Sequence, residues 1–93
     1  MVVGVAVWEF HLLGCASLKE KRGVLKSLKD RLHNQYNVSV AETAYNDFHQ
    51  RAQLAACVVS GDRAHANSVL SAVDRFLGDE SRIRIVDSYT TYY

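Results

Sequence analysis

The residues best suited to chemistry are cations. All four lysines of the chain fall between Ser17 and Leu32 (Lys19, Lys21, Lys26, Lys29), joined there by Arg22 and Arg31 and opposed only by Glu20 and Asp30. That stretch carries a net +4, whereas the rest of the chain holds five arginines and eight carboxylates, a net −3. The overall charge of +1 therefore hides a polarised molecule. Lys19, Arg22, Lys26, Lys29 and His33 recur at spacings of three and four, which on a helix makes one cationic stripe. Such a stripe can grip phosphates in a way that weakens with salt and reads little sequence. A merely solvated basic face is the alternative.

Lys19, Lys21 and Arg22 also sit at the start of the same segment, where a helix dipole disfavours each cation by about 0.3–1 kcal/mol. Free amides and three cations at one helix start suit an anion. Lys21 alone falls on the leucine side, and two readings stand for it. It either belongs to an anion site together with Arg51, or lies at a rim and pairs with Glu9 or Glu42.

Catalytic chemistry finds no comparable foothold. His11, His33, His49 and His65 are scattered, there is no glycine-rich phosphate loop, and no nucleophile stands beside a base in a motif. Asp47-Phe48-His49 reads as a polar turn. Cys15 and Cys57 lie 42 positions apart without metal-ligand or CxxC spacing, so neither a zinc site nor a redox motif is indicated. Cys57, within AACVV, reads as a small buried hydrophobe. The expectation is a non-enzymatic chain without metal or cofactor.

The elements that must hold these residues follow from hydrophobic period. Residues 2–12 form a strand apolar on both faces, with Val3, Val5 and Val7 on one and Ala6, Trp8, Phe10 and Leu12 on the other. Ser17 and Glu20 make a capping box at the head of a helix whose core stripe is Leu18, Leu25, Leu28 and Leu32. Gly23 in that helix costs about 1 kcal/mol relative to alanine. A second strand spans residues 38–45, a polar turn 45–50, and a third strand 51–60. Ser60-Gly61-Asp62 caps a second helix buried through Val69, Leu70, Val73, Phe76 and Leu77, with Gly78 as its C′ residue. Residues 83–93, rich in tyrosine and β-branched side chains, close the chain as a fourth strand.

The order βαββαβ predicts a single ferredoxin-like α+β domain over residues 1–93, a four-stranded antiparallel sheet with two helices on one face. The other face would stay bare and apolar, which predicts a homodimer through the open sheet, with Ala6, Trp8 and Phe10 as its dimer-face candidates. Base stacking in the manner of an RNA-recognition motif is disfavoured, because the third strand, RAQLAACVVS, has no aromatic residue. No segment reaches the length of a membrane span, and the N-terminus lacks a cationic leader, so a cytoplasmic location is expected.

The motifs Ser17-Leu18-Lys19-Glu20-Lys21-Arg22 with Lys26-Ser27-Leu28, then Asn37-Val38-Ser39-Val40-Ala41-Glu42, Asp47 with Gln50-Arg51-Ala52, and Val59-Ser60 with Asp62 resemble the YlxP-like family of small bacterial proteins of unknown function. The resemblance covers nearly the whole chain. It implies a ferredoxin-like, dimeric, bacterial cytoplasmic protein, and a family genomic setting near translation and ribosome-maturation factors implies a ribosome or RNA partner. It carries over no catalytic residues. Gly23 within the helix, His49 where tryptophan is usual and Gly61 in place of asparagine depart from the family pattern.

Overall fold

The computed structural model describes residues 1–93. Its elements are β1 (Val2–Leu12), α1 (Leu18–Gln35), β2 (Ser39–Ala44), β3 (Arg51–Ser60), α2 (Arg63–Gly78) and β4 (Ile83–Tyr92). The strands form one antiparallel sheet in the order β2-β3-β1-β4, so the fold is the ferredoxin-like βαββαβ sandwich. Both helices lie on one face. Strand β1 is central, paired with β3 from Val2↔Ser60 to His11↔Arg51 and with β4 from Gly4↔Tyr92 to Leu12↔Ile83.

Local chemistry fixes the helix ends. The Ser17 hydroxyl accepts from the Glu20 amide at 3.1 Å, while the Glu20 carboxylate accepts from the Ala16 amide at 2.8 Å, so the box closes one residue further upstream than its usual form. Asp62 caps α2 by accepting from the Ala64 amide at 3.0 Å. Gly78 is the last helical residue and Asp79 the C-cap, so no glycine C′ turn forms. Gly4 has a packing reason instead. A β-carbon there would stand 3.0 Å from Leu70 Cδ1 and 3.3 Å from both Tyr92 and Val58, so α2 crosses close over β1 only because the residue is glycine.

The two faces of β1 are opposite to the expected assignment. Trp8, Phe10 and Ala6 are 2%, 0% and 2% exposed and lie beneath the helices, in the core with Leu25, Leu28, Leu32, Leu54, Leu70, Val73 and Leu77. They are not dimer-face residues. The space between a sheet and two helices is deep, and only the bulky parity of β1 fills it: Trp8 stands beside Leu54, and Phe10 beside the small Ala52. The Trp8 indole also donates to Asp74 Oδ1 on α2 at 2.8 Å, which supplies the partner a buried N–H requires. The open face carries Val3, Val5 and Val7, with Ala55, Cys57 and Val59 of β3 and Tyr89 of β4 in register beside them. Cys57 is thus half-buried on the open face rather than sealed in the core, while Cys15 is buried; both are free thiols.

Glu80, just beyond α2, ties the two helices together. Arg82 Nε donates to its Oε1 at 2.8 Å, and Arg31 Nη1 of α1 donates to its Oε2 at 3.1 Å while stacking over Phe76. Hydrogen bonds from Arg82, ahead of those from Arg31, hold the Glu80 carboxyl down to about 2. A depressed carboxylate pKa adds stability that is complete above the unfolded value near 4.5 and is lost as pH falls toward 2. Both arginines are about half exposed, so solvent screening leaves on the order of 1–2 kcal/mol. Unfolding free energies from urea titrations at pH 5 and pH ~2.5 should differ by most of that amount in the native protein, and Glu80→Gln should flatten that part of the profile.

Candidate functional site

The first candidate surface is the outer flank of α1. Lys19, Arg22, Lys26, Lys29 and His33 lie within about 80° of one another around the helix. Arg31, which reaches α2 through Glu80 and Phe76, marks the opposite flank. The cationic stripe therefore faces away from α2, on the side of the β2 sheet edge. None of Lys19, Arg22 and Lys29 forms an ion pair; Lys26 pairs with Asp30 at 2.8 Å, an exposed i,i+4 contact that holds the Asp30 carboxyl below its usual range.

The second candidate, the end of the sheet near the start of α1, gathers the remaining ionic residues but arranges them as two closed pairs. Lys21 is 1% exposed. Its Nζ donates to the carbonyls of Tyr45 and Phe48, each at 2.6 Å, and meets Glu42 Oε2 at 2.8 Å. Three acceptors surround a group with three N–H donors. Lys21 is accordingly not an anion ligand, because its buried ammonium is already held by two carbonyls and neutralised by the Glu42 carboxylate. The Glu42 contact is ionic rather than a directed hydrogen bond, and Glu42 Oε2 remains the buried side-chain oxygen without one.

On the open face Glu9 accepts from Arg51 Nη2 at 2.8 Å and from Arg51 Nε at 3.2 Å. The fork of hydrogen bonds from Arg51, with a further one from Tyr45, holds the Glu9 carboxyl below its ordinary range. Arg51 stays 43% exposed despite the pair.

Tyr45 links the two pairs and was not legible as a site residue. Its backbone is left-handed, with φ of 62°, which costs a non-glycine residue roughly 1–2 kcal/mol. That conformation lets one residue serve both faces of the sheet. Its carbonyl accepts from Lys21, its hydroxyl donates to Glu9 Oε1 at 3.1 Å, and its ring lies 3.9 Å beneath the Arg51 guanidinium. A tyrosine directly before Asn46-Asp47 carried only the signal of a turn.

Next to this cluster a groove of about 680 Å³ opens between the β1–α1 turn and the β2–β3 loop, walled by His11, Leu13, Phe48, His49 and Arg51 among others. Leu13 and Phe48 are more than half exposed. The Gln50 amide donates to the Cys15 carbonyl at 3.3 Å, fastening one wall to the other. His65 lies at the far end of the fold, on α2. No group of three or more His, Cys, Asp or Glu side chains is placed to hold a metal ion, and no helix is long and apolar enough to cross a membrane.

The chain is 33% identical over 92 residues to an uncharacterized protein, YlxP, of Bacillus subtilis (strain 168), covering 99% of this chain and 100% of that one. A de novo designed protein with ferredoxin fold, solved by solution NMR, superposes with a TM-score of 0.53 over 100% of this chain and 83% of its own, at 18% identity, a likeness of fold alone. Residues 3–90 match the model of the family described as a protein of unknown function, DUF503. A match of that extent, together with a full-length YlxP relative, makes this chain a member of the DUF503, YlxP-like family.

Proposed function

We propose that this protein is a non-enzymatic RNA-binding module, suited to ribosomal or other structured RNA, that contacts phosphates through Lys19, Arg22, Lys26 and Lys29. The observation carrying this reading is the outer flank of α1, where three of four aligned cations have no carboxylate partner. From Lys19 to Lys29 the stripe runs roughly 15 Å along the helix, long enough to meet successive phosphates of one strand. The cations disfavoured by the helix dipole, Lys19 and Arg22, gain most from an external anion.

Titration of structured RNA or ribosomal particles at low and moderate salt tests it. Four phosphate contacts give a log–log salt slope near −3.6, hence a loss of about 100-fold between 50 and 200 mM salt. Lys19→Glu combined with Lys26→Glu should remove at least half of that slope and weaken binding by more than ~10-fold at low salt. Unchanged affinity in the double variant would mean the surface is wrong.

The open sheet face supports a second element of the proposal, association with another copy of the chain. Val3, Val5, Ala55, Cys57 and Val59 form an apolar surface on two central strands, with Val7 buried beside them. The four strands, of 11, 6, 10 and 10 residues, cover a sheet face on the order of 590 Å² per protomer, its charged end included, below the ~800 Å² of a standard interface. A clean monomer in sedimentation at tens of micromolar would overturn it.

A further inference from the structure

The groove at the end of the sheet has a composition that the cationic helix does not explain. Phe48 is 56% exposed, an unusual display for a phenylalanine, yet it is not on a loose loop. Lys21 holds its carbonyl at 2.6 Å, the Phe48 amide donates to the Tyr45 carbonyl at 3.0 Å, and the Tyr45 ring supports it at a centroid distance of 5.9 Å. A buried lysine thus fixes an aromatic ring in solvent at the edge of a groove.

His11 and Arg51 line the groove on its sheet side, where Asp47 also contributes a carboxylate, and the row they begin continues past the groove's edge to Arg84. His11 pairs with Arg51 on β3 and with Arg84 on β4, so three cation-capable side chains form one row across the open face. Like charges opposite one another across strands disfavour the sheet. Arg51 is matched by Glu9, but Arg84 has no ion pair, and its Nη2 lies 3.3 Å from His11 Nδ1. When Arg84 donates there, His11 is the neutral imidazole with its proton on Nε2, so that N–H and the other four N–H groups of Arg84 remain as donors for an anion, and the positive charge of the row lies on its two arginines. An exposed ring on one side and an incompletely neutralised row on the other suit a flat ring joined to a phosphate.

We propose that this groove holds one unpaired nucleotide of a bound RNA, its base stacked on Phe48 and its phosphate on the Arg84–His11–Arg51 row. The inference rests on the RNA-binding reading. The two surfaces are mechanically continuous, since Lys21 fastens the Phe48 loop to the first turns of α1 between Lys19 and Arg22. The cationic flank would follow a backbone while the groove selects RNA that offers an unstacked base beside it.

The test is fluorescence anisotropy with two RNAs of equal phosphate count, one a hairpin with a single-stranded extension, the other a blunt duplex. Phe48→Ala should weaken the first by about 5- to 100-fold, the range of stacking losses on alanine substitution, and leave the duplex unchanged. Phe48→Trp should match or exceed the native affinity. Arg84→Glu should weaken the extended hairpin more than the duplex; it and Phe48→Trp carry the test if Phe48→Ala lowers the melting temperature. If Phe48→Ala changes neither RNA, or both equally, the groove assignment falls while the helix reading stands. If the native protein binds neither RNA, both fall. Saturable binding of free uridine or adenosine monophosphate without preference between the RNAs would reassign the groove to a free nucleotide and overturn the RNA version.

Discussion

Lys21→Met should be among the most damaging single substitutions in the molecule, lowering folding free energy by about 3–5 kcal/mol. The lysine ammonium is buried among two carbonyls and a carboxylate. Methionine replaces its length but none of its donors, so the carbonyls of Tyr45 and Phe48 lose their hydrogen bonds and Glu42, only 19% exposed, keeps an uncompensated charge. For a domain of this size each kcal/mol moves the melting temperature by roughly 4–8 °C, so the expected fall exceeds ~12 °C. Adding Glu42→Gln should recover part of the loss, a coupling of about 0.5–3 kcal/mol, because a neutral amide tolerates the vacated site better than an anion does. Hydrogen exchange at Phe48 and neighbouring loop amides should speed up in the single variant. A melting temperature within a few degrees of native would show that the clamp holds nothing together.

The same residue marks where sequence reasoning stops. Period and capping identified all six elements, and the bounds of β1 and β3 coincide with the expected ones. Those signals are local, depending on residues two to four apart. Lys21 was visibly out of place on a leucine face and Glu42 was one of its two expected partners, but its other two acceptors come from 24 and 27 residues away and are backbone carbonyls, which no side-chain pattern encodes. Tyr45 likewise shows nothing of its left-handed backbone in its residue type, since asparagine or glycine ordinarily announces that conformation. The cationic flank was legible because helical spacing alone defines it. The groove was not: it forms between two turns whose approach depends on the long-range pairing of β1 with β3. Face assignment on β1 failed for a different reason. When both parities of a strand are apolar, alternation distinguishes the two sets without saying which meets the helices. Side-chain volume decides it, and volume matters only once two helices have to be packed above the sheet.

That choice of faces yields a paired expectation with separable readouts. Trp8→Ala should cost about 3–5 kcal/mol of folding free energy, because it empties a core site and leaves Asp74 without its indole donor. Trp8→Phe, which keeps most of the volume and loses the 2.8 Å hydrogen bond, should cost roughly 1–2 kcal/mol. Neither change alters the open face, so the sedimentation coefficient of whatever fraction remains folded should not move. Val5→Glu should behave in the opposite way. Val5 is only half-buried on the open face, between Cys57 and Thr91, so the isolated protomer can hydrate the carboxylate and fold with a loss of less than ~1 kcal/mol. In a dimer closed over that face the same carboxylate would meet its two-fold partner or an apolar surface, and association should weaken by 100-fold or more, on the order of 3 kcal/mol. Urea denaturation and sedimentation velocity on both variants separate the outcomes. If Trp8→Ala dissociates an assembly without lowering stability, the helix-facing assignment of the bulky parity is wrong. If Val5→Glu leaves a dimer intact, the valine face is not its interface.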